Sequence, residues 1–329
     1  MIIVSRKDHP ELISQLQTRF AGSKQVFVNG DRIALLGVTP QELTPEEKAA
    51  AATIIADHPV AVRASRLFHP EDTVIATAHS RIGGSHFTLM AGPCSVESAE
   101  HVLAMAAVAK RSGATVLRGG AFKPRTSPYS FQGLGEAGLQ ALRRAADQYD
   151  MDVLTEVMAP EQVALTAQYA DILQIGARNM QNFALLKAVG QTRRPVMLKR
   201  GLAATIDDVL NAVEYILAGG NSQVMITERG IRTFDNKYTR NTLDVGAVPV
   251  LQKLTHLPVI IDPSHAAGHT EWVTSLALAG TAVGASGLVV EIHDHPAAAL
   301  SDGAQALLPE QLQTLAQQVQ RVRTAIQQA

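Results

Sequence analysis

Four side chains of metal-ligating type follow short apolar runs: Cys94, the only cysteine, His265, Glu291 and, in the loop beyond Glu291, Asp302. A thiolate, an imidazole and two carboxylates suit one borderline divalent ion such as Mn, Fe, Co or Zn. A second set at run ends is basic: Arg118, Lys123, Arg125, Arg178, Lys199 and Arg229. So many cations at one place repel unless an anion neutralises them, and phosphate and carboxylate are the anions that guanidinium binds bidentately. Glu156, Gln174, Glu228 and Asp262 complete the polar residues at these positions. Each residue has a plainer reading alone: a single Cys is usually a small core hydrophobe, and loop Lys and Arg are usually solvated. Random surface charge would not gather at run ends, so the joint placement indicates an anion-binding metal site.

The elements that must position these groups recur along the chain. Thr88–Ala91, Thr115–Leu117, Asp152–Thr155, Asp171–Ile175, Pro195–Leu198, Gln223–Thr227, Pro258–Ile261 and Leu288–Val290 are apolar runs of the kind that bury on both faces, as parallel strands do. Helical stretches separate them. Eight strands alternating with helices predict a (β/α)8 TIM barrel over residues 71–329, and such barrels carry their catalytic groups at the C-terminal ends of the strands. Thr73–Ala76 and Ser80–Ile82 are expected to form a small hairpin closing the barrel floor.

Residues 1–70 read as a separate small domain. Ile2–Val4 is a strand, and Leu12, Ile13, Leu16 and Phe20 mark one face of a helix after Pro10. Asn29-Gly30-Asp31 joins two strands, Gln25–Val28 and Arg32–Leu36. Thr44-Pro45-Glu46-Glu47 starts a helix with a capping box, and Val60–Ala64 is expected to be the last strand. The order is βαββαβ, a ferredoxin-like arrangement. It contains no acid pair, Gly-rich phosphate loop or ligand cluster.

Composition narrows the classes. The chain has 329 residues, is 46% apolar and 18% charged, and carries a formal net charge of −1. That composition excludes disorder and argues against a nucleic-acid surface. One cysteine excludes intrachain disulfides and all-cysteine zinc sites. Trp272–Val290 runs 19 residues without a charge, but seven are Gly, Ser or Thr, so a buried helix and strand are expected rather than a membrane span. A soluble, cytoplasmic protein is expected. Gly133-x-Gly135-x-x-Gly138 matches a dinucleotide fingerprint but follows no strand, and His265-x-x-x-His269 lacks the glutamate of a zinc-protease helix.

Ala91-Gly92-Pro93-Cys94-Ser95, Leu117-Arg118-Gly119-Gly120-Ala121-Phe122-Lys123-Pro124-Arg125-Thr126-Ser127-Pro128-Tyr129, Gln174-Ile175-Gly176-Ala177-Arg178-Asn179, Leu198-Lys199-Arg200-Gly201 and Asp262-Pro263-Ser264-His265 together resemble the type Iβ 3-deoxy-D-arabino-heptulosonate 7-phosphate (DAHP) synthases. The likeness covers essentially the whole barrel, and the N-terminal unit resembles the regulatory extension of some members. It implies condensation of phosphoenolpyruvate with erythrose 4-phosphate, the first step of the shikimate pathway. It places the metal ligands on Cys94, His265, Glu291 and Asp302. Phosphoenolpyruvate contacts fall on Arg118, Lys123, Arg178, Lys199 and Arg229; Gln174 and Ala177, within the quoted motifs, and Glu228, at the end of the sixth apolar run, are further expected substrate contacts. Erythrose phosphate contacts fall on Pro124, Arg125, Thr126 and Ser127, with Asp262 near the sugar. Lys123, Glu156, Asp262 and His265 are the expected catalytic residues, Glu156 orienting or deprotonating the water.

The resemblance also implies a homotetramer, with inhibition by tyrosine or phenylalanine through the N-terminal domain. Two other readings stand beside it. The 3-deoxy-D-manno-octulosonate 8-phosphate synthases look alike in the barrel but usually carry Asn where this chain has Arg125. A barrel that binds metabolites without turnover is the other.

Overall fold

The computed structural model describes residues 1–123 and 127–328. By its internal contacts the chain divides into two compact units, Met1–Glu71 with Leu254–His256, and Asp72–Lys253 with the chain from Leu257 on.

The first unit holds β1 (Ile2–Ser5), α1 (Glu11–Phe20), β2 (Gln25–Asn29), β3 (Arg32–Leu36), α2 (Pro45–Ala50) and β4 (Ala51–Ile55). Its strands form an antiparallel sheet in the order β2-β3-β1-β4. The amphipathic face of α1 supplies the core: Leu12, Ile13, Leu16 and Phe20 pack with Ile3, Ile33 and Leu35. The capping box at Thr44 forms as its residue pattern requires, with Thr44 Oγ1 accepting from Glu47 N and Glu47 reaching back to Thr44 N. The fourth strand is a correction. It is Ala51–Ile55 rather than Val60–Ala64, because Ile2 and Ile3 pair directly with Ile55 and Ile54. The Ala49–Ala52 run looks helical by propensity, but pairing along the free edge of β1 ends the helix at Ala50.

In the second unit a two-stranded hairpin, β5 (Ile75–Ala76) and β6 (Arg81–Ile82), precedes the barrel. The barrel strands are β7 (Thr88–Gly92), β8 (Val116–Arg118), β9 (Asp152–Glu156), β10 (Ile172–Ile175), β11 (Val196–Lys199), β12 (Val224–Glu228), β13 (Val259–Ile261) and β14 (Gly287–Glu291). All neighbours pair in parallel, and β14 returns to β7, closing the barrel. The intervening helices are α3 (Ala99–Arg111), α4 (Glu136–Gln148), α5 (Val163–Tyr169), α6 (Phe183–Gly190), α7 (Ile206–Ala218), α8 (Ala247–Leu254), α9 (Pro263–Ala267) and α10 (Thr270–Ala282), with α11 (Pro309–Gln327) last. The charge-free stretch Trp272–Val290 is the body of α10 followed by β14. Among the described residues no helix is long and apolar enough to cross a membrane.

Side-chain alternation turns this barrel into a scaffold for a site. Met90, Val116, Leu154, Ile172, Met197, Met225, Ile260 and Val289, one per strand, form a buried interior layer that Ile75 and Ile82 of the hairpin extend. Residues two further along a strand face the same side. The next layer is therefore Gly92, Arg118, Glu156, Gln174, Lys199, Thr227, Asp262 and Glu291. An apolar plug thus underlies a ring that is almost wholly polar, at the strand ends where barrel enzymes do their chemistry.

Candidate active site

The polar ring is cross-linked by ion pairs. Arg118 NH1 donates to Glu291 Oε1 at 3.0 Å and Lys199 Nζ to Asp262 Oδ2 at 2.5 Å. Gln174 Nε2 lies 3.4 Å from Glu156 Oε2. At Gly92 a Cβ would stand 2.0 Å from the Arg118 carbonyl oxygen, so the close approach of the two strands requires glycine.

Asp262-Pro263-Ser264-His265 folds as one helical turn. Asp262 caps it, accepting from His265 N at 3.0 Å, with Pro263 in the first turn and Gly268 in the left-handed conformation ending it at φ 72°. The turn carries the His265 ring back over its cap, so that Nδ1 lies 2.8 Å from Asp262 Oδ2 and Nε2 3.3 Å from Glu291 Oε1. Ser264 Oγ accepts from Glu291 N at 3.0 Å, which ties the turn to β14.

Cys94 and Asp302 complete the donor set. Cys94 Sγ is 3.3 Å from Asp302 Oδ2, and the ligand atoms of Cys94, His265, Glu291 and Asp302 all lie within 4.8 Å of one another. Asp302 adopts the left-handed conformation at φ 52°, and the loop carrying it is held by Ser301 Oγ, 2.8 Å from Ser95 Oγ, and by Leu300 N donating to Glu97 Oε1 at 2.7 Å.

The electrostatics fit a cation here. Burial, then the Glu291 charge, pushes the Cys94 thiol up to about 12. Only added positive charge would hold it as a thiolate at neutral pH, which is what a divalent ion bound by these four residues would do. Burial opposes the Asp302 charge, but His265, Arg240 and Lys123 outweigh it and hold the carboxyl down at about 2. Burial likewise opposes the charge on Glu291, which His265 and Arg118 nonetheless draw below the usual carboxylate range.

Above the ring lies a cavity of about 640 Å³. Among the described residues seven cations line it, Arg118, Lys123, Arg178, Lys199, Arg229, Arg232 and Arg240, against the carboxylates of Glu156 and Asp302. Arg229 is buried, and its NH1 meets no hydrogen-bond partner among the described residues. Burial lowers its pKa, and a bound anion would supply the missing partner. Lys123 Nζ reaches Cys94 Sγ at 3.0 Å.

Of the residues singled out from the sequence, Arg118, Lys123, Ser127, Glu156, Gln174, Ala177, Arg178, Lys199, Arg229, His265 and Asp302 line this cavity. Cys94, Asp262 and Glu291 are buried just beneath it. Pro124, Arg125 and Thr126 lie outside the described residues. Glu228 does not reach the cavity and so is a correction. It stands three residues beyond Met225 of the interior layer, which turns it outward, where it accepts from Arg200 NH1 at 2.9 Å and Gly230 N at 2.7 Å. Gly133, at φ 94°, sits in a loop where a Cβ would lie 2.1 Å from Ala121 O, so its glycine serves chain packing rather than a dinucleotide. Sequence reasoning passed over Arg232, Arg240, Asn241 and Gln305. Arg240 NH1 donates to Asp302 Oδ1 at 3.2 Å, and Gln305 Nε2 to Glu291 Oε2 at 2.5 Å.

A parallel barrel with a thiol–imidazole–carboxylate set beside a buried cationic cavity is built to hold a polyanion next to a metal-competent donor cluster. The chain belongs to the DAHP synthetase I family, whose profile matches residues 71–328. It is 52% identical to phospho-2-dehydro-3-deoxyheptonate aldolase of Thermotoga maritima, over 80% of this chain and 77% of that one. A crystal structure of that organism's DAHP synthase superposes over 99% of this chain and 97% of the other, with TM-score 0.81 and 42% identity. A 2-dehydro-3-deoxyphosphooctonate aldolase of Cyanothece is 34% identical over 74% of this chain and 94% of its own.

Proposed function

We propose that this chain is a DAHP synthase, condensing phosphoenolpyruvate with erythrose 4-phosphate and releasing inorganic phosphate, at the head of aromatic biosynthesis. The observation that carries the reading is the pairing of the four-donor cluster with seven cations, counted among the described residues, in one barrel mouth. Two phosphates and a carboxylate give those cations a purpose, and family membership and 52% identity to an aldolase of that name support the choice.

A divalent ion held by Cys94, His265, Glu291 and Asp302 would supply Lewis acidity at the aldehyde of the aldose phosphate. The remaining roles belong to the protein. Arg118, Lys123, Arg178, Lys199 and Arg229 bind the phosphate and carboxylate of phosphoenolpyruvate and fix its enol carbon against the aldehyde carbon, which removes much of the entropic barrier. C3 of the enol forms the new C–C bond, and the aldehyde oxygen takes a proton. Lys123 is an acid placed at the cluster: burial opposes its charge, but its surroundings at Cys94 and Glu291 raise its pKa. Glu156, facing the cavity from β9, orients the water that adds at C2 and accepts its proton. The C2–O bond then breaks and phosphate leaves. Asp262 holds His265 and Lys199 in position from below. Pro124, Arg125, Thr126 and Ser127 receive the aldose phosphate.

The first unit lacks a metal-competent donor group among its described residues, yet it has its own sheet and core. It serves as a feedback sensor for tyrosine or phenylalanine in a homotetramer.

The octulosonate reading is separated by aldose choice, since an eight-carbon product needs a five-carbon aldose phosphate. Phosphate release from phosphoenolpyruvate should be fast with erythrose 4-phosphate and slow with arabinose 5-phosphate. Arg125→Ala should raise the KM for the aldose far more than that for phosphoenolpyruvate. A preference for the five-carbon sugar would reassign the enzyme, and no release with either would leave a binding protein.

A further inference from the structure

Outside the mouth, Glu97, His101 and His293 bring one carboxylate and two imidazoles together, with a ligand atom from each within 4.8 Å of the others. His101 sits in the first turn of α3, Glu97 just before that helix, and His293 two residues beyond the end of β14. We propose that these three residues form a second divalent-cation site, of the nitrogen–oxygen type that suits Zn²⁺.

The spacing of the donors fits an ion. His293 Nε2 is 3.5 Å from Glu97 Oε2. That is long for a hydrogen bond. It is close to the edge of about 3.3 Å that separates two ligand atoms bound tetrahedrally to zinc at roughly 2.0–2.1 Å. In the mouth, His265 Nε2 and Glu291 Oε1 stand 3.3 Å apart. The two imidazoles of the second cluster lie with centroids 4.2 Å apart and planes tilted by 40°.

An unmet polar atom points the same way. His101 Nδ1 is buried without a hydrogen-bond partner among the described residues, and His293 Nε2 faces Glu97 Oε2 at 3.5 Å. Glu97 is held in a ligating pose, because Oε1 accepts from Leu300 N at 2.7 Å and leaves Oε2 aimed at His293. Asp294 Oδ1 lies 3.1 Å from His101 Nε2, where a carboxylate steadies a metal-bound imidazole, and the His295 backbone N–H donates both to Asp294 Oδ1 at 3.0 Å and to His293 Nδ1 at 2.9 Å. Among the described residues neither Glu97 nor Asp294 meets a lysine or arginine within ion-pair distance. Their two charges match a dication. Because Glu97 also holds the backbone at Leu300, two residues before Asp302, an ion here fastens the loop that carries the fourth donor of the mouth.

The test is a cobalt titration of the chelator-stripped full chain, read by bound metal per chain and by visible absorption. Two Co²⁺ should bind. Only one should develop the sulfur-to-cobalt charge-transfer band, since Cys94 is the only thiol. His101→Ala should bind one Co²⁺ and keep the full band. Cys94→Ser should lose the band and keep the second site's uptake and d–d absorption. Saturation of the unaltered chain at one Co²⁺ with the full band would overturn the proposal. So would two ions bound by His101→Ala, or no cobalt bound by a folded Cys94→Ser chain.

Discussion

Asp262→Asn tests how the mouth is held together. Asp262 is 1% exposed and Lys199 4% exposed, with Nζ and Oδ2 2.5 Å apart. At an effective dielectric of about 20, charges at that separation attract by roughly 7 kcal/mol. Desolvation of both groups offsets much of this, and breaking a buried pair typically costs about 3–5 kcal/mol because the surviving charge is stranded. Asparagine keeps an oxygen for His265 N, so the loss is chiefly the charge. Urea unfolding followed by Trp272, the only tryptophan and part of α10, should show that loss with an unchanged denaturant slope. The loss corresponds to a melting point lower by very roughly 6–20 °C. Burial opposes the Asp262 charge, but His265 and Lys199 hold its carboxyl well below the usual range. A group depressed in the folded state stabilises above its unfolded pKa of about 3.9 and loses that contribution as pH falls toward its folded value. The gap between parent and variant should therefore be full at neutral pH and narrow below about pH 4. Since Asp262 also orients His265, metal affinity should drop by about 10–100-fold. A variant within about 0.5 kcal/mol of the parent, with unaltered metal affinity, would refute the assigned role.

Three further outcomes follow from the geometry. Because the Cys94 thiol is pushed up to about 12 without metal, binding must release its proton, so affinity should rise about tenfold per pH unit through neutrality; a flat profile in a chelator-competition assay would exclude thiolate ligation. A Cβ on Gly176 would stand 2.1 Å from Glu156 Oε1, so Gly176→Ala should displace that carboxylate and cut kcat by about 10²–10⁴-fold with little change in the KM for phosphoenolpyruvate; an unchanged kcat would remove Glu156 from the reaction. A chain starting at Glu71 should keep turnover and lose inhibition by tyrosine and phenylalanine, whereas equal inhibition of both forms would place the sensor elsewhere.

The barrel was legible because its strands are buried on both faces and read as apolar runs between helices. The donor cluster was legible because Cys94, His265 and Glu291 each follow such a run. Alternation would also have settled Glu228, which stands at an odd interval from Met225 and so turns outward to Arg200. The fourth strand of the first unit was obscured by alanines that favour helix locally; pairing with β1, a long-range contact, decides its place. Arg232 and Arg240 come from the loop after β12, where no periodic signal says which side chains return to the cavity. Gln305 was hidden for the same reason, although it braces Glu291.

Whether metal and aldose act together in this mouth is decided by phosphate release from phosphoenolpyruvate. The chelator-stripped enzyme is assayed with and without erythrose 4-phosphate and with and without Mn²⁺. Release is expected only when the aldose and the ion are both present, with restoration on adding metal and a large loss in a folded Cys94→Ser chain. Full turnover in the stripped enzyme, or near-parental turnover of Cys94→Ser with Mn²⁺, Zn²⁺ and Co²⁺, would contradict the metal-dependent condensation.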